Sequence, residues 1–147
     1  MKHLLLTLTI AFSLFSLNSF ANDHVNVAPA ALNSFKASFK NASDVSWSVS
    51  STYFKASFAL NGQYVSAYFD GDGKMVAMTR NISSLQLPLV LQSELREKYQ
   101  GYWVSDLFEL ANDQGTTYYI TVENADKKIV LKSYSSGWSV YNKQCKS

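Results

Sequence analysis

The sequence predicts an α+β fold of two tandem units, each one helix followed by four antiparallel strands, with both helices on one face of the sheet. Three observations carry this expectation. Residues 53–74 alternate apolar and polar side chains around Asn61-Gly62, then reach a second turn at Asp70-Gly71-Asp72-Gly73. An Asn-Gly pair between alternating runs marks a hairpin, because both residues accept the positive φ of a type I′ turn. Two stretches opened by Pro29 and Pro88 space their apolar residues for helices instead. Finally, the pattern repeats: Phe39 and Asn41 align with Tyr99 and Gly101, and Phe54, Ala56 and Phe58 align with Tyr118, Ile120 and Val122. The second alignment needs four more residues than the first, and the turn at Asn112 to Gly115 accommodates them.

Residues 1–21 are expected to be a signal peptide. Lys2 and His3 start it, Leu4 to Leu17 forms an apolar run, and Ser19-Phe20-Ala21 supplies the small residues of a cleavage site before Asn22. The run is shorter than the ~20 residues a membrane span needs, which makes an uncleaved anchor the weaker alternative. No cysteine follows the site to take a lipid. Cleavage leaves about 126 residues, enough for one core. The mature chain, residues 22–147, is therefore expected to be a single exported domain, periplasmic or secreted, built from repeats at about 28–82 and 85–141.

In chain order, Asn22 to Val27 forms a leader, and Pro29 suits a first helical turn because its missing N–H costs nothing there. Ala31, Leu32, Phe35 and Phe39 make one helix face, with Asn33, Lys36 and Lys40 opposite. Asn41 to Asp44 breaks that helix, and Val45 to Val49 is a short strand containing Trp47. In the central hairpin Phe54, Ala56, Phe58, Val65, Ala67 and Phe69 share the core face, and Met75 to Asn81 supplies a fourth strand. Leu91, Leu95 and Tyr99 then define a second helix that Gly101 stops. Strands follow at Tyr102 to Leu110, around Tyr118, Ile120 and Val122, around Ile129 and Leu131, and at Trp138 to Tyr141.

Composition excludes several chemistries. Charges nearly balance, with 13 Lys and Arg against 11 Asp and Glu and no basic run, so nucleic acid is not an expected partner. After cleavage His24 is the last histidine, and it sits in the leader, so no His-based dyad or triad fits the core. Cys145 is the sole cysteine, in a polar tail, and could pair only between molecules. Asp70 and Asp72 could be read as paired carboxylates or a calcium loop. A loop of the EF-hand kind would need an oxygen ligand where Lys74 stands and a Glu where Asn81 stands, so the glycine-flanked pair reads as a turn. No enzyme activity, cofactor or metal is expected. Trp47 reads as core, whereas Trp103 and Trp138 are not placed by pattern alone.

The stretch SFKASFKNASDVSWSVSSTYFKASFALNGQYVSAYFDGDGK resembles the PepSY-like proteins, also described as beta-lactamase-inhibitor-like. The matching elements are Phe39, Asn41-Ala42, Val45 with Trp47, Tyr53 to Phe58, Asn61-Gly62, and Phe69-Asp70 to Gly73-Lys74. Leu87-Pro88, Tyr99, Gly101 and Tyr118-Tyr119 carry the likeness into the second half, which departs at Ser133 to Ser136, where the Phe-Asp pair is missing. The resemblance implies an exported protein related to beta-lactamase inhibitory protein, whose concave sheet grips an enzyme.

The expected function is a non-enzymatic exported binding module for another protein, of the peptidase- or beta-lactamase-inhibitor kind, acting through its open sheet face. The alternatives are a small-molecule binder or sensor of the cell envelope, and an envelope protein with no tight partner. Alternation assigns the open face Tyr53, Lys55, Ser57, Tyr64, Ser66 and Tyr68 in the first half, with Tyr119, Thr121, Lys128 and Lys132 in the second. The expected partner-binding residues are Tyr53, Lys55, Tyr64, Tyr68, Tyr119, Lys128 and Lys132. Tyrosine offers contact area with a hydroxyl at little entropic cost, and the lysines favour an acidic partner.

Overall fold

A computed structural model describes residues 26–134 and 136–146. The expected signal peptide and His24 lie outside the described residues. The elements run α1 (Pro29–Ser38), β1 (Ser43–Val49), β2 (Phe54–Leu60), β3 (Gln63–Phe69) and β4 (Met75–Asn81), followed by a 3-10 turn (Ser84–Gln86). Then come α2 (Leu89–Lys98), β5 (Trp103–Asn112), β6 (Gly115–Glu123), β7 (Lys127–Ser133) and β8 (Ser139–Cys145). No helix among them is long and apolar enough to cross a membrane.

The eight strands form one antiparallel sheet in chain order. This overturns the division into two tandem helix-plus-four-strand units. β4 pairs with β5 from Met78↔Ala111 to Asn81↔Phe108, so the sheet runs unbroken across the middle of the chain and dominates the structure. The physical reason lies in the backbone. Separate units would leave β4 and β5 as edges with unpaired N–H and C=O groups, and joining them satisfies both.

Pro29 opens α1, and the helix ends where the Phe39 N–H donates to the Phe35 carbonyl at 2.9 Å. Its buried residues Ala31 and Phe35 pack with Ala56, Phe58, Val65, Ala67 and Phe69. The Phe35 ring meets Phe58 edge-on at 5.0 Å and Trp47 at 5.3 Å, which places Trp47 against the core. A second cluster joins Leu87 and Leu91 to Leu107, Ile120, Val122, Ile129 and Leu131. The register Val65↔Arg80↔Glu109↔Tyr118 carries both clusters on one face of the sheet. Leu91 is the fully buried residue of α2, and Leu95 is only half-buried at the cluster's margin. Trp138 also borders this cluster: its indole N–H donates to the Leu91 carbonyl at 3.0 Å, and its backbone N–H to the Glu94 carboxylate at 2.9 Å.

The central hairpin closes as expected, with Leu60 opposite Gln63 and φ of 52° at Asn61 and 79° at Gly62. Gly62→Val should cost on the order of 1 kcal/mol or more, since a β-branched residue resists that conformation. Urea unfolding of the variant checks this. The final strand is longer than expected. It continues to Cys145, which sits exposed opposite Lys127 on an edge strand rather than in a frayed tail.

Candidate functional site

The face away from the helices carries the expected residues, but in separate groups. In β2 and β3, Lys55 pairs with Tyr68 and Ser57 with Ser66. Tyr53 meets the Tyr68 ring edge-on at 5.3 Å, and the Lys55 ammonium lies 5.8 Å from the same ring. The Ser57 and Ser66 hydroxyls are 3.0 Å apart and hydrogen-bonded. Tyr64 stands at the hairpin end and is 72% exposed.

A second group crosses the other half of the sheet. Phe108, Tyr119 and Lys132 are neighbours in one cross-strand row. The Phe108 and Tyr119 rings stack at 5.1 Å with planes 14° apart. A bulge between the Val130 and Leu131 pairings shifts Tyr141, whose ring meets Tyr119 edge-on at 5.7 Å. Three rings surround the Lys132 ammonium: Tyr134 at 4.7 Å, Tyr119 at 5.6 Å and Tyr141 at 5.9 Å. The Tyr134 side chain above all, and then Tyr119, hold its pKa above the usual lysine value against the opposing pull of burial. Asn81 pairs with Phe108, and Val65 with Arg80, so Tyr64 continues this row one step beyond the Val65–Arg80 pair. From Tyr64 to Lys132 the row crosses four strand spacings, about 19 Å.

Lys128 does not join either group. It pairs with Glu123 at 3.6 Å, and Glu123 also holds Lys146 at 2.8 Å and the Ser105 hydroxyl at 2.6 Å. The Lys146 bond first, then that of Ser105, brings the Glu123 pKa down to about 2. Lys146 in turn lies 4.7 Å over the ring of Trp103, which is 53% exposed. This corner fastens the C-terminal residues to the sheet, and its lysines are already neutralised.

The sequence reading put the expected residues on one open face as a single set; the structure brings Tyr64, Tyr119 and Lys132 into one row and Tyr53, Lys55 and Tyr68 into a second patch. Four residues of strand, about 13 Å, separate Tyr68 from Tyr64. It missed Phe108, Tyr134 and Tyr141. Counting by twos along β5 from Leu107 on the core face could have placed Phe108 on the opposite face. No local signal marks the bulge that brings in Tyr141.

The acidic turn is self-contained. One Asp70 carboxylate oxygen accepts from the N–H groups of Asp72 at 3.0 Å and Lys74 at 2.9 Å. Among the described residues no cluster of three or more His, Cys, Asp or Glu side chains is placed to hold a metal. A shallow open depression beside Tyr64 is lined by Ser57, Gln63, Ser66, Thr79 and Arg80, with Arg80 hydrogen-bonded to Glu109.

No family model matches the chain, and no curated protein matches it. Solved structures do. A BLIP-like protein from Bacteroides fragilis superposes with a TM-score of 0.68 at 21% identity, over 84% of this chain and 89% of that one. A DUF2874 family protein from Bacteroides uniformis gives 0.72 at 18% identity, over 82% and 90%. A protein from Bacteroides eggerthii assigned to the periplasm gives 0.72 at 17% identity, over the same shares of 82% and 90%. These neighbours carry the names BLIP-like and DUF2874 rather than PepSY. At such identities the likeness concerns architecture, and this chain has the fold of the BLIP-like and DUF2874 proteins.

Proposed function

We propose that this chain is a non-enzymatic exported module that binds another protein on the sheet face away from α1 and α2. The observation that carries the reading is the composition of that face. The half-buried Tyr53 and Tyr68 stand beside Lys55, and the exposed Tyr134 and Tyr141 beside Lys132, and no carboxylate neutralises either lysine among the described residues. Such a surface gives contact area at low entropic cost and steers an acidic partner toward it. The BLIP-like and periplasm-assigned neighbours support an inhibitor-like protein working outside the cytoplasm. The basic start, apolar run and Ser19-Phe20-Ala21 support residues 1–21 as its signal peptide, with Asn22 as the mature N-terminus.

The test replaces Tyr64 and Tyr68 together by Ser. Both side chains point away from the core, so melting should change little. Capture of a specific partner from native periplasm should weaken at least about tenfold, or about 1.4 kcal/mol. Undiminished capture by the double variant would remove the open face as the binding site.

A further inference from the structure

Lys132 differs from the other paired lysines of the fold. Lys98, Lys128 and Lys146 each face a carboxylate within 4.0 Å, but no described carboxylate meets Lys132. Its ammonium is held instead by the rings of Tyr119, Tyr134 and Tyr141. Ring faces attract a cation without cancelling its charge, and the rings displace water that would otherwise screen it. The ammonium is thus fixed in place, partly dehydrated and still in need of an anion. Beside it in the same row the half-buried Phe108 and Tyr119 rings stack on each other and add apolar surface to the face.

We propose that Lys132 anchors an Asp or Glu side chain of the protein partner, whose adjacent apolar residue lies on the Phe108–Tyr119 stack. This rests on the open-face reading and narrows it to one spot and one chemistry. A free anion would gain little, because it gives up its own hydration and its freedom of movement for one contact with a single lysine. A carboxylate carried on a protein segment also gains the apolar contact next door. The length of the row, about 19 Å from Tyr64 to Lys132, suits a peptide segment better than a small ion. Lys128, already paired with Glu123, has no comparable role.

An NMR titration of the exported chain tests this with three probes: a capped octapeptide of alternating Glu and Tyr, its Gln counterpart, and sodium acetate. The Glu peptide should shift the signals of Lys132, Tyr119 and Tyr141, and the Gln peptide should bind at least about tenfold more weakly. Acetate alone should leave those signals nearly unmoved. Lys132→Met should weaken the Glu peptide about tenfold, whereas Lys132→Arg and Lys128→Met should leave it within about twofold. Equal binding of the Glu and Gln peptides, or an unaffected Lys132→Met variant, would overturn the anchor. Shifts centred on Lys55 and Tyr68 would also overturn it while leaving the open-face reading in place. Shifts confined to α1 and α2 would count against both.

Discussion

Replacing Phe58 by Ala should lower the free energy of unfolding by about 3–5 kcal/mol. Phe58 is 1% exposed and stands on β2 opposite Val65, in the middle of the first core cluster. Its ring touches Phe35 at 5.0 Å and Phe39 at 4.7 Å, so it is the point where the sheet meets α1. Truncation removes the ring's burial and leaves a cavity that the stiff sheet cannot close from below. Against a total stability of about 5–15 kcal/mol for a domain of this kind, the loss could leave a substantial unfolded fraction. Phe58→Leu, which keeps most of the volume, should cost about 1.5 kcal/mol or less. Urea unfolding followed by circular dichroism, with unchanged slope, gives both values. A loss below ~1 kcal/mol for Phe58→Ala would remove Phe58 from the core. In the second cluster Leu91 is the buried residue of α2, and Leu95→Ala should cost less than Leu91→Ala because Leu95 retains contact with water.

The contrast between Leu91 and Leu95 shows what side-chain pattern conveys and where it stops. Both fall on the apolar stripe of α2, but only packing decides which reaches the centre. Alternation in residues 53–74 revealed the hairpin, its turn and its two faces, because a strand with one buried face writes that face into every second residue. The same logic placed Tyr64 and Tyr68 on the open side. It could not reveal that β4 and β5 pair, since backbone groups make that join whatever side chains they carry. Nor could it show that β8 runs on through Asn142, Lys143 and Gln144. An edge strand exposed along its whole length has no buried face and therefore no alternation. The candidate site divides in the same way. Tyr119 and Lys132 were legible from their own strands, whereas the ring enclosure needs Tyr134 from the following turn and Tyr141 from across a bulge. Lys128 and Lys132 are equivalent by alternation, and only Glu123 on the neighbouring strand, which neutralises Lys128, tells them apart.

Gly73→Ala should destabilise the protein by about 2–5 kcal/mol, combining a left-handed backbone penalty with overpacking. Gly73 ends the turn after β3 with φ of +82°, a conformation that L side chains rarely adopt. A Cβ there would also lie 2.6 Å from the carbonyl carbon and oxygen of Ala30. Those are backbone atoms in the first turn of α1, so no rotamer change can relieve the clash. Either the turn or the helix must move. Moving the helix would draw Ala31 and Phe35 away from the sheet and loosen the cluster around Phe58 and Trp47. The turn is no freer, because Asp70 binds its Lys74 and Asp72 N–H groups. Gly62 separates the two contributions. It has φ of +79° but nothing within 4 Å of an added Cβ, so Gly62→Ala should cost only the backbone term, about 1–2 kcal/mol. Urea unfolding of both variants therefore measures the close approach itself. If Gly73→Ala costs no more than Gly62→Ala, α1 does not rest on this turn.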